Sequence, residues 1–452
     1  MNEAAPRRTN EVGLDPPLSR SAAAFLREQR VVPGGSMRHA SWFAPHPPYA
    51  ARGQGCWILD IDGRRILDCA NNFFSLVHGH AFPPIVAALT EAIGRGTAFG
   101  LPTEGEIALA EALAARNPAL EQTRFCNSGT EALLAAVKGA RGITGRHRIA
   151  KFEGCYHGSY DHMEVSLDST PANWDDAEGN PASVPYAKGT PPAVLADTVV
   201  LPYADADRCA AILRRHGPGL AAIVLDPHAS KAGMVAMPAE VIAAVREACA
   251  RDGILLIVDE VVNFRLGFAG VSPLFGLAPD FVTLGKIIGG GLPVGAVSGA
   301  AGRMAVFDHA AGKPRVALGG TFSANPLTMA AGLASLAHYD AAAVARLNAL
   351  GDMLRARADA GFAAAGAPAR LDGMGSLFRL HLGTRPVTDY RSARPTVAEA
   401  AALPRIHAAM LAAGVLLTPN CSGALSTPMT EEEVALIADR LVEACMATEG
   451  WR

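Results

Sequence analysis

A series of short, mostly apolar runs between residues 75 and 330 constrains the fold of this chain more than any other feature. Runs of this kind suit strands that are buried on both faces, as in a mainly parallel sheet. Helical stretches over residues 131–141 and 239–251 separate several of the runs, which predicts an α/β domain in which helices cover the sheet. The predicted strands are Arg148–Phe152, Ala221–Leu225, Ile254–Val258, Phe281–Leu284 and Val294–Ser298.

The two ends of the chain follow other patterns. In residues 56–69, apolar residues alternate on both sides of Asp62-Gly63, which predicts a β-hairpin with a two-residue turn. After residue 330 the chain is rich in alanine and mostly helical. Short strands are expected there at Ser376–Leu382 and Gly414–Leu417.

Composition and charge limit the expected partners. The net charge is −3 and no dense Lys/Arg cluster is present, so a nucleic-acid surface is not expected. The apolar run at residues 253–258 is too short to span a membrane, and Arg7-Arg8 has no signal-peptide core after it, which predicts a loose terminus over residues 1–20. The eight cysteines form no Cys-x-x-Cys pair, which argues against disulfides and a zinc site. We expect a cytoplasmic protein with no metal, membrane or nucleic-acid partner.

Two predicted strands end in residues that can carry chemistry. Lys286 follows Phe281–Leu284, at the sheet edge where open α/β folds bind ligands. Desolvation there would lower its pKa and let its amine form an imine, although a solvated charge also explains a lysine at a strand end. Asp259 closes a second buried strand, where a carboxylate needs a partner. A pyridinium nitrogen is a suitable partner, because a protonated ring acts as an electron sink.

Three further segments combine small residues with hydroxyl or aromatic side chains. The turn over residues 128–130 offers hydroxyl and backbone N–H groups that could bind phosphate, although an ordinary helix cap also explains it. Tyr156 and His157 lie between glycines and could stack on and contact a planar ring. The turn over residues 319–326 is a second candidate for a phosphate site.

Taken in order, these five segments resemble the class III, fold-type I aminotransferases that depend on pyridoxal 5′-phosphate (PLP). The resemblance is strongest to the subgroup of glutamate-1-semialdehyde aminomutase and the β-amino-acid aminotransferases. It extends over roughly residues 30 to 445. The matching segments are NSGTEA (127–132), FEGCYHG (152–158), VDEV (258–261), TLGKIIGGG (283–291) and GGTFSANP (319–326).

The resemblance implies a role for each group around the cofactor. Lys286 would carry PLP as a Schiff base and later move the proton, and Asp259 would pair with the pyridine nitrogen. Val261 would pack on the ring face opposite Tyr156, which is also expected to be catalytic. His157 would contact the cofactor as well. The phosphate would be bound by Ser128, Gly129 and Thr130.

The resemblance also implies a partner and a substrate contact. Thr321 would reach the phosphate in the neighbouring subunit, so a homodimer with shared active sites is expected. Arg38 would bind the substrate carboxylate, a task that suits a fork-shaped guanidinium. Fold type I implies a large PLP-binding domain over residues 71–330 with a mainly parallel sheet. A smaller α+β domain would be built from residues 1–70 and 331–452.

Several departures from the family pattern bear on the substrate. Asp226-Pro227 replaces the usual Glu-Pro, and Ser230 or Lys231 could contact the phenolic oxygen of PLP, where relatives have Asn or Gln. The irregular segment over residues 168–194, either a lid or a plain insertion, does not begin with the Gly and Ser of the aminomutases. The 27 positions from Asp259 to Lys286 match the β-amino-acid enzymes better. Substrate-facing segments are expected at 71–74 and at 420–424, where a charged residue of the relatives is missing.

The expected function is therefore transfer of an amino group from an amino acid or amine, including β-amino acids, to a keto acid. An intramolecular transfer of the glutamate-1-semialdehyde 2,1-aminomutase type is the alternative. A non-catalytic PLP-binding protein is a third hypothesis. A nucleotide-binding protein is disfavoured, because no G-x-G-x-x-G follows a first strand and no P-loop is present.

Overall fold

The computed structural model describes residues 19–310 and 312–451. Residues 1–18, which hold Arg7-Arg8 and most of the predicted loose terminus, lie outside that part of the chain. The first helix, Arg20–Glu28, is capped by Ser19, whose side chain accepts a hydrogen bond from the backbone of Ala22.

The predicted hairpin is confirmed, but its turn is longer than the sequence indicated. Strands β1 (Ala50–Gln54), β2 (Trp57–Asp60) and β3 (Arg65–Asp68) pair antiparallel in chain order. The backbone N–H of Asp60 donates to the carbonyl of Arg64 at 3.0 Å, so three residues form the loop, and the predicted two-residue turn was wrong. The extra residue is accommodated because Gly63 adopts φ 87°.

The central sheet has seven strands in the order β4-β10-β9-β8-β7-β5-β6. Neighbours from β9 to β6 are parallel, whereas β10 is antiparallel to both β4 and β9. Strands β7, β8 and β9 are buried along their whole length, as their continuous apolar runs predicted. The strands are β4 (Gln122–Cys126), β5 (Arg148–Phe152), β6 (Thr198–Leu201), β7 (Leu220–Leu225), β8 (Leu255–Asp259), β9 (Phe281–Gly285) and β10 (Gly295–Gly299).

Two smaller sheets join distant parts of the chain. Strand β13 (Val415–Leu416) runs parallel to β3 and completes the sheet of the N-terminal hairpin. Strands β11 (Ala369–Asp372), β12 (Leu377–Leu382) and β14 (Ser422–Ala424) form a three-stranded sheet. Both chain ends therefore contribute to one sheet, in keeping with the expected smaller domain, although its boundaries stay a prediction.

Helices fill the space between and around the sheets. Those that separate the strands of the central sheet begin and end within a few residues of their predicted positions, because their apolar faces lie against the sheet. No helix in the described ranges is long and apolar enough to cross a membrane. After Arg20–Glu28, the helices of at least eight residues are Pro83–Ile93, Glu104–Arg116, Gly129–Thr144, Ala206–His216, Ala239–Asp252, Pro326–Ala337, Ala341–Ala365, Val397–Ala412 and Glu431–Ala447.

Candidate active site

A cavity of about 360 Å³ opens at the carboxyl ends of β5, β7, β8 and β9. Parallel strands bring their carboxyl ends to one edge, which is why residues far apart in the sequence meet there. Ten site residues were predicted from the sequence. Nine of them line this cavity, and Thr321 does not. The nine are Arg38, Ser128, Gly129, Thr130, Tyr156, His157, Asp259, Val261 and Lys286.

Lys286 is the first residue after β9 and has a strained backbone, with φ 52° in the left-handed region. Such strain costs roughly 1–3 kcal/mol and concentrates at functional sites. Burial lowers the pKa of its ε-amino group, while the carboxylates of Asp259 and Asp226 act in the opposite direction. Within the described chain this amino group makes no hydrogen bond, so it is free to act as a nucleophile or a base.

Asp259, at the end of β8, is held by three neighbours. Its Oδ2 lies 2.8 Å from Nδ1 of His157, and its Oδ1 accepts from the backbone of Val261 at 3.0 Å and from the hydroxyl of Thr283 at 3.2 Å. Burial lowers the pKa of His157, so the neutral ring donates through Nδ1. From the sequence, His157 was predicted only to contact the cofactor. The structure adds that His157 orients Asp259, which is 5% exposed.

The turn before helix Gly129–Thr144 combines an N-cap with free donors. The side chain of Ser128 accepts from the backbone of Glu131 at 3.2 Å, so the helix-cap explanation of this residue is correct as well. The first backbone N–H groups of the helix, those of Gly129 and Thr130, have no acceptor among the described residues. Together with the partial positive charge of a helix N-terminus, they form a site for an anion such as phosphate.

A hydrogen bond joins this turn to the loop that carries Tyr156. The hydroxyl of Thr130 accepts from the backbone N–H of Ser159 at 3.1 Å. The loop turns at Gly158, whose φ is 90° and where an added Cβ would lie 2.5 Å from the Thr130 hydroxyl. Tyr156 is 45% exposed and lines the cavity, so its ring is available to a ligand.

Asp226 was not predicted as a site residue, yet it lines the same cavity. It follows β7 directly, just as Asp259 ends β8, so the same strand-end signal was present. Its Oδ1 accepts from the backbone of His228 at 3.0 Å and from the side chain of Asn263. Burial, and then the charge of Asp259, raise the pKa of Asp226 well above its usual value.

The rim of the cavity contains Arg38, Asn72 and Ser230. Of the two residues considered for contact with a phenolic oxygen, Ser230 lines the cavity and Lys231 does not. Thr321 is exposed and does not line the cavity of its own chain, and its contact with a neighbouring subunit stays a prediction.

Comparisons with known proteins agree with this arrangement. The family profile described as aminotransferase class-III matches residues 41–430. A glutamate-1-semialdehyde 2,1-aminomutase from Thermomicrobium roseum is 37% identical over 94% of this chain and 97% of its own length.

Two solved structures are similar in fold as well as in sequence. An omega-transaminase from Sphaerobacter thermophilus has a TM-score of 0.93 and 46% identity, covering 95% of this chain and 98% of that one. A beta-phenylalanine aminotransferase from Variovorax paradoxus has a TM-score of 0.83 and 34% identity, covering 94% and 92%. With its α/β fold of type I and a cavity that gathers the family's motifs, the chain belongs to the class III aminotransferases, a family of PLP-dependent enzymes.

Proposed function

We propose that this protein is a transaminase that binds PLP through Lys286 and moves an amino group from a carboxylate-bearing amine, such as a β-amino acid, to a keto acid. One observation carries the proposal. The unpaired amine of Lys286, the oriented carboxylate of Asp259 and the free N–H groups of a helix N-terminus share one cavity.

The residues present fit PLP, which has an aldehyde, a basic ring nitrogen and a phosphate. Lys286 would hold the aldehyde carbon, Asp259 would face the ring nitrogen, and residues 128–130 would hold the phosphate. Close packing supports this cradle, because a Cβ added at Gly295 would lie 1.9 Å from the carbonyl of Ser128. Val261 and Tyr156 both line the cavity and are proposed to contact the two faces of the ring.

In the reaction, bound PLP supplies a ring that accepts the electron pair of the bond broken at the substrate carbon. The protein supplies the proton transfers. Because burial lowers the pKa of Lys286, its amine is neutral at a lower pH than that of a solvated lysine, and it can take up the substrate proton and return it one position away. The negative charge of Asp259 favours a protonated ring nitrogen.

Arg38 is the proposed contact for the substrate carboxylate. It lines the cavity that also contains Lys286, and its guanidinium group makes no ion pair with a carboxylate in the described ranges. The Variovorax relative, named for beta-phenylalanine, supports a β-amino acid as the donor.

A second candidate is the intramolecular transfer of the aminomutases, because the Thermomicrobium relative with that name covers 94% of this chain. The two reactions differ in one requirement. A transaminase turns over only when a separate keto acid accepts the amino group, whereas an aminomutase needs no acceptor. Turnover of glutamate 1-semialdehyde without added keto acid would favour the second candidate.

We also propose a cytoplasmic homodimer. Thr321 is exposed, and its neighbours Gly319 and Gly320 line a second cavity of about 1010 Å³ together with the exposed Ile107. Exposed apolar residues beside a large open cavity suit an interface with a second subunit. All eight cysteines are free thiols, in keeping with a reducing compartment.

The first experiment is the visible absorption spectrum of the purified protein, before and after addition of single amino donors. We expect a yellow absorption band that a carboxylate-bearing amine bleaches. Lys286→Ala is expected to lose the band, whereas Lys188→Ala, at an exposed lysine outside the cavity, keeps it. A protein that stays colourless after incubation with PLP would contradict the cofactor assignment.

A further inference from the structure

Arg38 is held at the rim of the cavity by an unusual turn. We propose that Asn72 is a positioning residue for substrate recognition: its amide oxygen orients the guanidinium of Arg38 toward a substrate carboxylate without neutralising its charge. This inference rests on the proposed function and extends it to a residue with no assigned role.

The turn that presents Asn72 is strained along its whole length. Residues 71–74 are not glycine, yet their φ angles are 47°, 48°, 56° and 71°. Left-handed conformations are unfavourable for residues that have a Cβ, and asparagine is among the side chains that tolerate them best. The turn persists because Asn71 is anchored at both ends: its backbone N–H donates to Asp68 at 2.9 Å and its side chain donates to the carbonyl of Ala424 at 2.6 Å.

The consequence of this turn is the direction of the Asn72 side chain. Its amide nitrogen donates to the hydroxyl of Ser75 at 3.2 Å, which leaves the amide oxygen of Asn72 free to accept another hydrogen bond. Nη1 of Arg38 donates to that oxygen. The guanidinium carbon of Arg38 also lies 5.8 Å from the ring centre of Phe73. Arg38, Asn72 and Ser75 all line the cavity that contains Lys286.

Because Asn72 is uncharged, Arg38 can still bind a substrate carboxylate. A guanidinium has five N–H donors, and one contact to an amide oxygen leaves a pair of them for a bidentate carboxylate. No carboxylate in the part of the chain that the structure describes lies within ion-pair distance of Arg38. Its full positive charge therefore remains available to a substrate. An acidic residue at position 72 would form an ion pair with Arg38 and would repel the substrate carboxylate.

Two substitutions separate this role from a purely structural one. Asn72→Gly removes the amide and suits the left-handed backbone, so the turn is expected to fold. Asn72→Asp keeps the shape and adds the competing charge. The substrates are 3-amino-3-phenylpropanoate and 1-phenylpropylamine, in which a methyl group replaces the carboxylate.

We expect Asn72→Gly to raise the KM for the carboxylate substrate about fivefold. Asn72→Asp is expected to raise it about tenfold or more, since it also adds repulsion. The KM for 1-phenylpropylamine should stay within about twofold in both variants, because this amine has no group for Arg38. Gln54→Glu, at an exposed position of β1 outside the cavity, controls for the added charge.

A second readout does not depend on turnover. Isothermal titration calorimetry with 3-phenylpropanoate, which has no amino group to react, should show the same order of affinity loss in the two variants. Equal losses for the carboxylate and the amine substrate, or no loss in either variant, would overturn the role of Asn72. Arg38→Ala identifies a failure of the proposed function itself, because an unchanged KM for the carboxylate in that variant would remove Arg38 from the substrate site.

Discussion

At the scale of single residues, hydrogen bonds orient the two buried acidic side chains of the site, Asp259 and Asp226. The neutral imidazole of His157 donates to Asp259 and so orients this side chain. Asp226 accepts from two other donors, and its burial near Asp259 raises its pKa well above its usual value.

The charge of Asp259 can be tested with an isosteric change. Asp259→Asn keeps the size of the side chain and removes the charge that favours a protonated ring nitrogen. We expect kcat/KM to fall by about a hundredfold or more, the usual order for a preorganised electrostatic contact. The yellow band should still form, since Lys286 is present. Asp207→Asn, at an exposed aspartate, should leave both kcat/KM and the band unchanged.

At the scale of secondary-structure elements, the phosphate turn depends on the close approach of β10. Gly295 of β10 is buried, and a Cβ there would lie 1.9 Å from the backbone carbonyl of Ser128. The contact is with backbone, so a larger residue cannot be accommodated by a rotamer change. The glycine in this strand therefore sets the position of the helix N-terminus relative to the sheet.

We expect Gly295→Ala to lower the free energy of unfolding by about 2 kcal/mol, the cost of overpacking a buried site. It should also weaken PLP binding, because the turn must move away from β10. Gly302→Ala is the matched control, since a Cβ there meets nothing within 4 Å. Urea denaturation of the two variants tests this. Equal stability of both variants would contradict the assigned packing.

The irregular segment over residues 168–194 is tied down by a loop from the C-terminal part of the chain. Arg391 donates to the buried Glu153 at 2.6 Å and to Asp175 at 2.8 Å. The hydroxyl of Tyr390 donates to the carbonyl of Ser169 at 2.7 Å. Since Glu153 directly precedes the loop that carries Tyr156, these contacts connect the segment to the active site.

Arg391→Gln would leave the carboxylate of Glu153 buried without its ion pair. We expect a loss of about 3 kcal/mol in the free energy of unfolding, typical of breaking one partner of a buried pair. Arg357→Gln removes an exposed pair with Asp439 and should leave the free energy of unfolding almost unchanged, because solvent screens that pair. Chemical denaturation compares the two. A loss no larger in Arg391→Gln than in this control would rule out a structural ion pair.

At the scale of the whole molecule, buried histidines link stability to pH. Burial lowers the pKa of His78 and His228 from 6.5 to about 4, and that of His381 to about 3. Between those values and 6.5 the unfolded chain binds more protons than the folded one. These groups therefore stabilise the fold above pH 6.5, and their contribution is lost as the pH falls toward 4.

His78→Gln isolates one of these contributions, because glutamine cannot be protonated. The stability difference between wild type and variant should shrink by about 1.4 kcal/mol for each pH unit from 6.5 down to about 4. Urea denaturation at several pH values measures this slope. A flat difference for His78→Gln would contradict the depressed pKa.

The sequence by itself determined the strands, the helices and the strand-end position of each chemical group, because these follow from local apolar patterns and from the rule that parallel strands end at one edge. The five predicted strands lie within one or two residues of their observed positions. Strand β4 was missed because it is polar and lies at the sheet edge. Strand β6 was missed although its run is apolar and buried, so its omission has no comparable physical reason.

Only the tertiary structure decided which side chains face one another. The contact from His157 to Asp259 joins residues 102 positions apart, and that from Arg391 to Glu153 joins residues 238 apart. The left-handed turn that brings Asn72 to Arg38 is likewise stabilised by the distant carbonyl of Ala424. Such contacts depend on how packed elements orient their side chains, and no local pattern in the sequence encodes that orientation.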